Sequence, residues 1–361
     1  MTAPQPKPGV LDVAPYVPGA PAAARAPVPV YKLSANESAL GPSPAAMDAY
    51  ATAQGALHEY PDGGATALRE ALAEAHDLDA ARIVCGAGSD ELLQLLARAY
   101  AGPGDAVVQT AHGFLVYAIA AQACGADVRV APERALTADV DAILEAVDET
   151  TRIVFLANPN NPTGTYLPAD DLARLHAGLR DDVLLVVDAA YAEYLDAPDY
   201  ETGAALVDAA DNVVMTRTFS KIYGLGGLRL GWAYCPAAVA DALNRIRGPF
   251  NVSAPAIAAG VAAVGDVDFV ARNRDHNRRE RARLAQALGA LGIDATPSAA
   301  NFILAHFASP EAAGATRAWL AERGVAVREM AAYGLPSSLR LSIGSTAANA
   351  RLIDLLTERF S

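Results

Sequence analysis

The chain has 361 residues, a net charge of −13, and 52% hydrophobic against 19% charged residues. This length predicts about two domains, and the composition is that of a globular protein rather than a disordered one. The acidic charge argues against non-specific nucleic-acid binding, although a few arginines in one cleft can still bind a small anion.

Two features of the sequence bear on the cellular compartment. No uninterrupted apolar run reaches the roughly 18 residues of a membrane-spanning helix, and prolines interrupt the N-terminal stretch where a signal peptide would be apolar. Cys85, Cys124 and Cys235 lie far apart without metal-ligand spacing, and their odd number fits reduced thiols. We therefore expect a cytoplasmic protein without a metal site or a membrane partner, in which Cys85 is a core residue.

The elements in chain order predict an α/β protein. Residues 1–30 are rich in Pro and Ala, and we assign residues 1–35 to an extended N-terminal arm and residues 36–250 to a large domain. Alternating apolar segments of the large domain favour a mostly parallel, helix-flanked central sheet. The predicted elements are helices at 66–76, 89–100 (with Ser89 or Asp90 as N-cap), 117–124 (ending at Gly125) and 171–179, and strands at 82–88, 106–110, 152–159, 183–191 and 212–220.

After residue 250 the pattern changes to that of a smaller α+β domain. A long helix at 266–290 precedes strands at 301–307, 325–329 and 339–344. We assign residues 251–361 to this domain, joined by part of the N-terminal arm. The arginines and Glu280 within 272–283 predict a solvated helix face.

The segment TRTFSKIYGLGGLRLGW, residues 216–232, carries the first candidate for chemistry. A lysine at the end of a buried strand suits imine formation, which needs an amine held in a fixed pose. Thr218, Ser220 and Arg229 around Lys221 would then hold a phosphate. The alternative is a surface lysine in a flexible glycine loop.

The segment VLLVVDAAYAEY, residues 183–194, ends an apolar strand with Asp188. A carboxylate there needs a partner, since burying it alone is costly. The N–H of a protonated pyridine ring is such a partner. The aspartate would keep that ring protonated as an electron sink, and Tyr191 would reach a phenolic oxygen on the same ring. The alternative is an aspartate that caps the next helix.

Two turns complete the set of candidate segments. ANPNNPTG, residues 157–164, can present Asn161 into a cleft, although it also fits an ordinary turn. CGAGSDE, residues 85–91, lies at a strand-to-helix junction whose amides form an anion site. A dinucleotide site is the rival interpretation, but Glu91 stands where the third glycine of that motif belongs. His112, beside a glycine turn, predicts a structural histidine rather than an acid or base.

These segments occur in the order found in fold-type I aminotransferases, which use pyridoxal phosphate. The chain most resembles the histidinol-phosphate aminotransferase family, and the likeness covers almost its whole length. Further matching segments are LDVAPYVPG (11–19), KLSANES (32–38), EYPDGGATALRE (59–70), HGFLVY (112–117) and LRLSIGS (339–345).

The resemblance implies a role for each candidate residue. Lys221 would carry the cofactor as a Schiff base and move the proton, with Asp188 at the pyridine nitrogen and Asn161 and Tyr191 at the ring oxygen. The remaining implied contacts are ring stacking by Phe114, phosphate binding by Ser89, Asp90, Thr218, Ser220 and Arg229, phosphate binding in the neighbouring subunit by Tyr60, and substrate binding by Tyr16, Asn36, Arg328 and Arg340.

The resemblance also implies the reaction and the assembly. It predicts a homodimer with shared sites that transfers an amino group between L-histidinol phosphate and 2-oxoglutarate in histidine biosynthesis. An aromatic-amino-acid aminotransferase, or an enzyme with both activities, is the main alternative, and a threonine-phosphate decarboxylase is a weaker one. A transcription regulator would need a DNA-binding domain, for which the residues before the arm are too few.

Overall fold

The computed structural model describes residues 6–7, 9–15 and 30–361. Its helices cover two main β-sheets. The α-helices are α1 Pro44–Ala53, α2 Thr66–His76, α3 Ser89–Tyr100, α4 Val116–Cys124, α5 Val140–Ala146, α6 Ala169–Gly178, α7 Ala204–Ala209, α8 Ala237–Ile246, α9 Ala254–Gly265, α10 Val267–Ala290, α11 Pro310–Glu322 and α12 Thr346–Phe360. Short 3-10 helices lie at Val10–Asp12, Gln54–Ala56, Ala80–Arg82, Ala192–Tyr194, Gly226–Leu228 and Ala331–Tyr333.

The strands of the structure are β1 Tyr31–Leu33, β2 Ile83–Gly86, β3 Ala106–Thr110, β4 Asp127–Ala131, β5 Glu133–Arg134, β6 Thr137–Ala138, β7 Thr151–Ala157, β8 Leu184–Asp188, β9 Val213–Thr218, β10 Gly231–Tyr234, β11 Asp294–Thr296, β12 Phe302–His306, β13 Val325–Glu329 and β14 Ser338–Ser342. The larger sheet has seven strands in the order β2-β10-β9-β8-β7-β3-β4. Only β10 runs antiparallel to its neighbours, β9 and β2. The mostly parallel, helix-flanked sheet expected from the sequence is therefore confirmed.

Strand β8 shows why this sheet reads as continuous apolar segments. Leu185 and Val187 point into one hydrophobic cluster, whereas Leu184 and Val186 point into the cluster on the opposite face. With helices on both faces, the usual alternation of polar and apolar residues is lost. Each of these buried side chains contributes about 1.5–3 kcal/mol of hydrophobic stabilisation, which anchors the strand whose last residue is Asp188.

The smaller sheet has five strands in the order β1-β13-β14-β12-β11. Strand β1, from the N-terminal part of the chain, pairs in parallel with β13, and the other neighbours are antiparallel. Helix α9 packs against α1 and α2 beside the larger sheet. The division into an arm at 1–35, a large domain at 36–250 and a small domain at 251–361 stays a prediction.

Two local expectations were wrong. Helix α3 is capped by Gly88, not by Ser89 or Asp90, and no side chain accepts a hydrogen bond at this end. Glu280 is buried rather than solvated, because its carboxylate accepts hydrogen bonds from Asn349 Nδ2 at 2.9 Å and from Thr346 Oγ1 at 3.1 Å. It therefore holds the start of α12 against α10.

No single helix in the described part of the chain is long and apolar enough to cross a bilayer. Helices α9 and α10, bent by 75° relative to each other, have the necessary length and composition only as a pair.

A buried ion pair ties β9 to the turn after β8. Arg217 Nη2 lies 2.8 Å from Glu193 Oε1, and the two side chains are 8% and 5% exposed. The guanidinium also packs over the Trp232 ring, 5.4 Å from its centroid. Because strand side chains alternate between faces, Arg217 lies on the face opposite to Thr216 and Thr218.

We predict that Glu193→Ala lowers the free energy of unfolding by about 3–5 kcal/mol, since Arg217 would remain as an unpaired buried charge. Urea unfolding followed by circular dichroism measures the change. Asp241→Ala is the control. It breaks the exposed ion pair between Arg245 and Asp241, whose side chains are 73% and 63% exposed, and should lower the free energy of unfolding by no more than about 0.5 kcal/mol. Equal losses in both variants would contradict the prediction.

Candidate active site

A cleft of about 450 Å³ lies where β7, β8 and β9 end, opposite β14. The ends of parallel strands are the usual place for a ligand site in an α/β sheet. The cleft brings together every site residue expected from the sequence except Tyr16, Tyr60 and Arg328. Those that line it are Asn36, Ser89, Asp90, Phe114, Asn161, Asp188, Tyr191, Thr218, Ser220, Lys221, Arg229 and Arg340.

Asp188 provides the buried negative charge of the cleft. It is 4% exposed, and its carboxylate accepts hydrogen bonds from Tyr117 Oη at 2.8 Å and from Thr216 Oγ1 at 3.3 Å. Burial raises the pKa of Asp188 to about 6, although both hydroxyls oppose this rise. A carboxylate in this setting favours a cationic N–H donor in the cleft, as a protonated pyridine would supply. The 3-10 helix that follows, Ala192–Tyr194, has Tyr191 at its N-cap, so Asp188 is not a helix cap.

Lys221 follows β9 in a loop that is held by its backbone. The Ser220 amide donates to Thr218 Oγ1 at 3.1 Å, and the Gly224 amide donates to the Lys221 carbonyl at 3.0 Å. Asn273 Nδ2 donates to the Ile222 carbonyl at 2.6 Å. The lysine Nζ lies 5.6 Å from the centroid of the Tyr191 ring. The loop thus presents the amine to the cleft in a defined pose and is not a flexible surface loop.

Tyr191 and Asn161 approach the cleft from two different segments. Tyr191 Oη accepts a hydrogen bond from Asn36 Nδ2 at 2.9 Å, and burial raises the pKa of Tyr191 to about 12. Asn161 Oδ1 accepts a hydrogen bond from Arg340 Nη1, while Arg340 Nη2 donates to the Ser34 carbonyl at 3.1 Å. A tyrosine that keeps its proton and an amide that lines the same cleft can both hydrogen-bond to one oxygen of a bound ring.

The N-terminus of α3 and Arg229 form an anion cradle. Arg229 Nη2 lies 3.2 Å from Asp90 Oδ2, and its Nη1 donates to Ser220 Oγ at 3.4 Å. A Cβ on Gly88 would lie only 2.6 Å from Arg229 Nη2, so glycine keeps the guanidinium close to the helix start. Backbone amides at a helix N-terminus, a hydroxyl and a guanidinium together suit a phosphate.

Close packing of α3 against the sheet depends on a second glycine. A Cβ at Gly231, on β10, would lie 2.3 Å from the Ser89 amide nitrogen. Phe114, which precedes α4, lines the same cleft and meets Tyr117 edge to face, with ring centroids 5.8 Å apart. The apolar ring of Phe114 gives a flat ligand a surface to stack on.

Three predicted residues lie outside the cleft lining or the described residues. Tyr60 is 83% exposed and stacks on Phe250 with ring centroids 4.6 Å apart. Arg328 lies on β13 in register with Arg340 on β14, and it is 9% exposed. Tyr16 falls outside the described residues.

The structure adds Tyr117 to the site, and the sequence held no signal for it beyond an aromatic residue in a helix. The contact joins residues 71 positions apart. His112 Nδ1 hydrogen-bonds to the Tyr333 carbonyl at 2.7 Å, in keeping with the structural role that we expected. Cys85 is buried, also as expected. Among the described residues, no cluster of histidine, cysteine or acidic side chains is suited to a metal ion.

The chain matches the family model of class I and II aminotransferases over residues 28–356. Histidinol-phosphate aminotransferase from Rhodospirillum centenum is 56% identical over 360 residues, covering 99% of this chain and 98% of that protein. The enzyme of the same name from Paramagnetospirillum magneticum is 55% identical, with 99% of each chain covered.

Solved structures agree with the sequence comparison. Histidinol-phosphate aminotransferase from Sinorhizobium meliloti, in complex with pyridoxal-5'-phosphate, has a TM-score of 0.86 and 28% identity, with 92% of each chain covered. A mutant aspartate aminotransferase from Thermus thermophilus has a TM-score of 0.81 and 25% identity, covering 93% of this chain and 92% of the other. The predicted fold and family are confirmed: the chain is a fold-type I aminotransferase and belongs to the histidinol-phosphate aminotransferase family of the class I and II aminotransferases.

Proposed function

We propose that this aminotransferase uses pyridoxal 5'-phosphate to transfer the amino group of L-histidinol phosphate to 2-oxoglutarate, a step of L-histidine biosynthesis. The observation that carries the proposal is one cleft that holds a loop lysine, a buried carboxylate and an anion cradle. The printed names of the relatives supply the donor. An aromatic-amino-acid aminotransferase, a decarboxylase and a dinucleotide-binding protein have no comparable support.

The cleft residues fit pyridoxal phosphate group by group. Asp188 would accept the pyridinium N–H, which satisfies its buried charge. Asn161 and Tyr191 would hold the phenolic oxygen, and Phe114 would stack on the ring. The cradle that would hold the phosphate consists of the Ser89 and Asp90 amides with Thr218, Ser220 and Arg229. When bound, the cofactor supplies an aldehyde for amines and a ring that withdraws electrons.

Lys221 is the acid and base of the reaction. Its Nζ would hold the cofactor, and, once freed by the donor amine, would take up the proton from the α-carbon of the donor and give it back. The loop that carries this amine is fixed by hydrogen bonds from Ser220, Gly224 and Asn273.

Arg340 is our candidate for the residue that binds the anionic end of both substrates. It lines the cleft from β14 and is 6% exposed. A guanidinium can form paired hydrogen bonds with a carboxylate or a phosphate, and the donor carries a phosphate where 2-oxoglutarate carries a carboxylate. Arg328 and Tyr16 remain further candidates for substrate binding.

Exposed apolar side chains support the proposal of a homodimer. Met47, Tyr50, Leu57 and Phe250 are 51%, 42%, 68% and 48% exposed, Phe250 stacks on the exposed Tyr60, and exposed apolar patches can mark an interaction surface. In such a dimer Tyr60 would reach the phosphate of the neighbouring subunit.

We place the enzyme in the cytoplasm, because its three cysteines are free thiols and a reducing compartment keeps thiols in that state.

Replacing Lys221 tests the assignment of the cofactor-bearing amine. The chain has only three lysines, at positions 7, 32 and 221, so borohydride reduction followed by peptide mapping identifies the labelled residue. We expect the label on Lys221, and we expect Lys221→Ala to transaminate at least about a thousandfold more slowly. Lys32→Ala, which removes an exposed lysine paired with Glu37, should match the parent enzyme. A label on Lys7 or Lys32 would refute the assignment.

The donor is tested by comparing kcat/KM for histidinol phosphate, phenylalanine and tyrosine with 2-oxoglutarate as acceptor. We expect histidinol phosphate to exceed both aromatic donors by at least about tenfold, or about 1.4 kcal/mol of transition-state binding. Release of carbon dioxide from threonine phosphate is measured in parallel and should be absent. A preference for the aromatic donors would replace the proposed function with an aromatic aminotransferase.

Subunit mixing tests whether Tyr60 serves the neighbouring site. Tyr60→Ala and Lys221→Ala should each be impaired as homodimers. In a hybrid, the site that keeps Lys221 receives an intact Tyr60 from the other subunit, so mixing should restore activity at one site of the two. Mixing the double variant Tyr60→Ala/Lys221→Ala with Tyr60→Ala is the control and should restore nothing. Failure of both mixtures would show that Tyr60 acts within its own chain.

A further inference from the structure

A chain of hydrogen bonds runs from β14 through Asn36 to the hydroxyl of Tyr191. The Asn36 backbone amide donates to Ser342 Oγ at 2.9 Å, and Ser342 Oγ lies 2.9 Å from Asn36 Oδ1. Asn36 Nδ2 lies 2.9 Å from Tyr191 Oη. The carbonyl of Asn36 accepts from Asn301 Nδ2 at 2.9 Å. Asn36 is 1% exposed, so all of these contacts lie in the protein interior.

The three hydrogen bonds form one consistent sequence of donors and acceptors. A backbone amide can only donate, so Ser342 Oγ accepts from Asn36 N. The single hydroxyl proton of Ser342 is donated to Asn36 Oδ1. The amide group of Asn36 is thereby oriented with Nδ2 towards Tyr191. Asn36 has a φ of 55°, a left-handed conformation that asparagine tolerates better than most residues.

This orientation decides what the Tyr191 hydroxyl can do. A phenol has one proton to donate. Because its oxygen accepts from Asn36 Nδ2, the proton is directed away from Asn36 and is left for an acceptor in the cleft. A reversed amide, or a carboxylate at position 36, would instead accept the proton and withdraw it from the cleft.

We infer that Asn36 is a positioning residue that directs the Tyr191 proton towards the ring oxygen of the cofactor, with Ser342 setting the orientation of the Asn36 amide. The inference rests on the proposed function, and it gives Asn36 a role other than the substrate binding implied by the resemblance. The backbone N–H and C=O, Oδ1 and Nδ2 of Asn36 each already have a partner within the protein.

The effect is measured in the holoenzyme by titrating the absorbance of the lysine-bound cofactor with pH, without substrate. A hydrogen bond from Tyr191 stabilises negative charge on the ring oxygen, and so weakens the hold of that oxygen on the neighbouring imine proton. Loss of this hydrogen bond should raise the pKa of the imine between Lys221 and the cofactor by about one unit. Asn36→Asp tests this with a residue of the same shape that also tolerates the left-handed backbone.

A double-mutant cycle separates positioning from a simple effect of charge. If Asn36 acts through Tyr191, Asn36→Asp raises the pKa in the parent enzyme but leaves it unchanged in a Tyr191→Phe background. Ser342→Ala introduces no charge, and should give a smaller rise in the parent enzyme and none in the Tyr191→Phe background. It also carries the test if Asn36→Asp fails to fold. Glu37→Gln changes an exposed neighbour and should leave the titration as in the parent enzyme.

Three results would overturn the inference. Equal shifts in both backgrounds would show that the added charge acts directly. Unchanged titrations of both Asn36→Asp and Ser342→Ala, together with a raised KM for the donor, would show that Asn36 binds substrate instead. A parent enzyme that takes up no pyridoxal phosphate would overturn both the proposed function and the inference. If the parent enzyme binds the cofactor and its absorbance titrates with pH, either of the first two results overturns the inference alone.

Discussion

The burial of one carboxylate at the end of an apolar strand is the constraint around which this site is built. Asp188 lies where β8 ends, and its hydrogen-bond donors, the hydroxyls of Tyr117 and Thr216 and the backbone amide of Ala190, are all uncharged. Neutral donors do not offset the full cost of removing a charge from water, so its pKa is raised to about 6. A ligand that brings a cationic N–H to this point gains an interaction that the protein alone does not complete.

The parallel sheet gathers the other groups around that carboxylate. Neighbouring parallel strands end at the same edge, which places Asn161 after β7, Tyr191 after β8 and Lys221 after β9 around one cleft. Strand β9 makes different contacts on its two faces, because its side chains alternate between them. Thr216 supports Asp188 on one face, while Arg217 forms its ion pair with Glu193 on the other. A substitution behind the sheet can therefore disturb the chemistry in front of it.

Local patterns in the sequence predicted much of this arrangement, because the information lies within short segments. An uninterrupted apolar strand that ends in aspartate, and a lysine that follows the next strand, predicted the elements and the chemistry together. Contacts between distant segments were not predictable in this way. Ser342 reaches Asn36 across 306 positions, and Asn349 reaches Glu280 across 69. The cap of α3 was also mispredicted, because the tight packing of Gly88 against Arg229 is a tertiary contact that no local rule describes.

Arg229 is a position where two physical demands meet in one residue. Its backbone has a φ of 53°, a conformation that costs a non-glycine residue roughly 1–2 kcal/mol. Its side chain meanwhile supplies the guanidinium of the anion cradle. Glycine would relax the backbone but abolish the cation, and lysine would keep the charge without the planar fork. Neither exchange meets both demands, so a residue whose side chain is half exposed to solvent is as tightly constrained in its chemistry as a buried one.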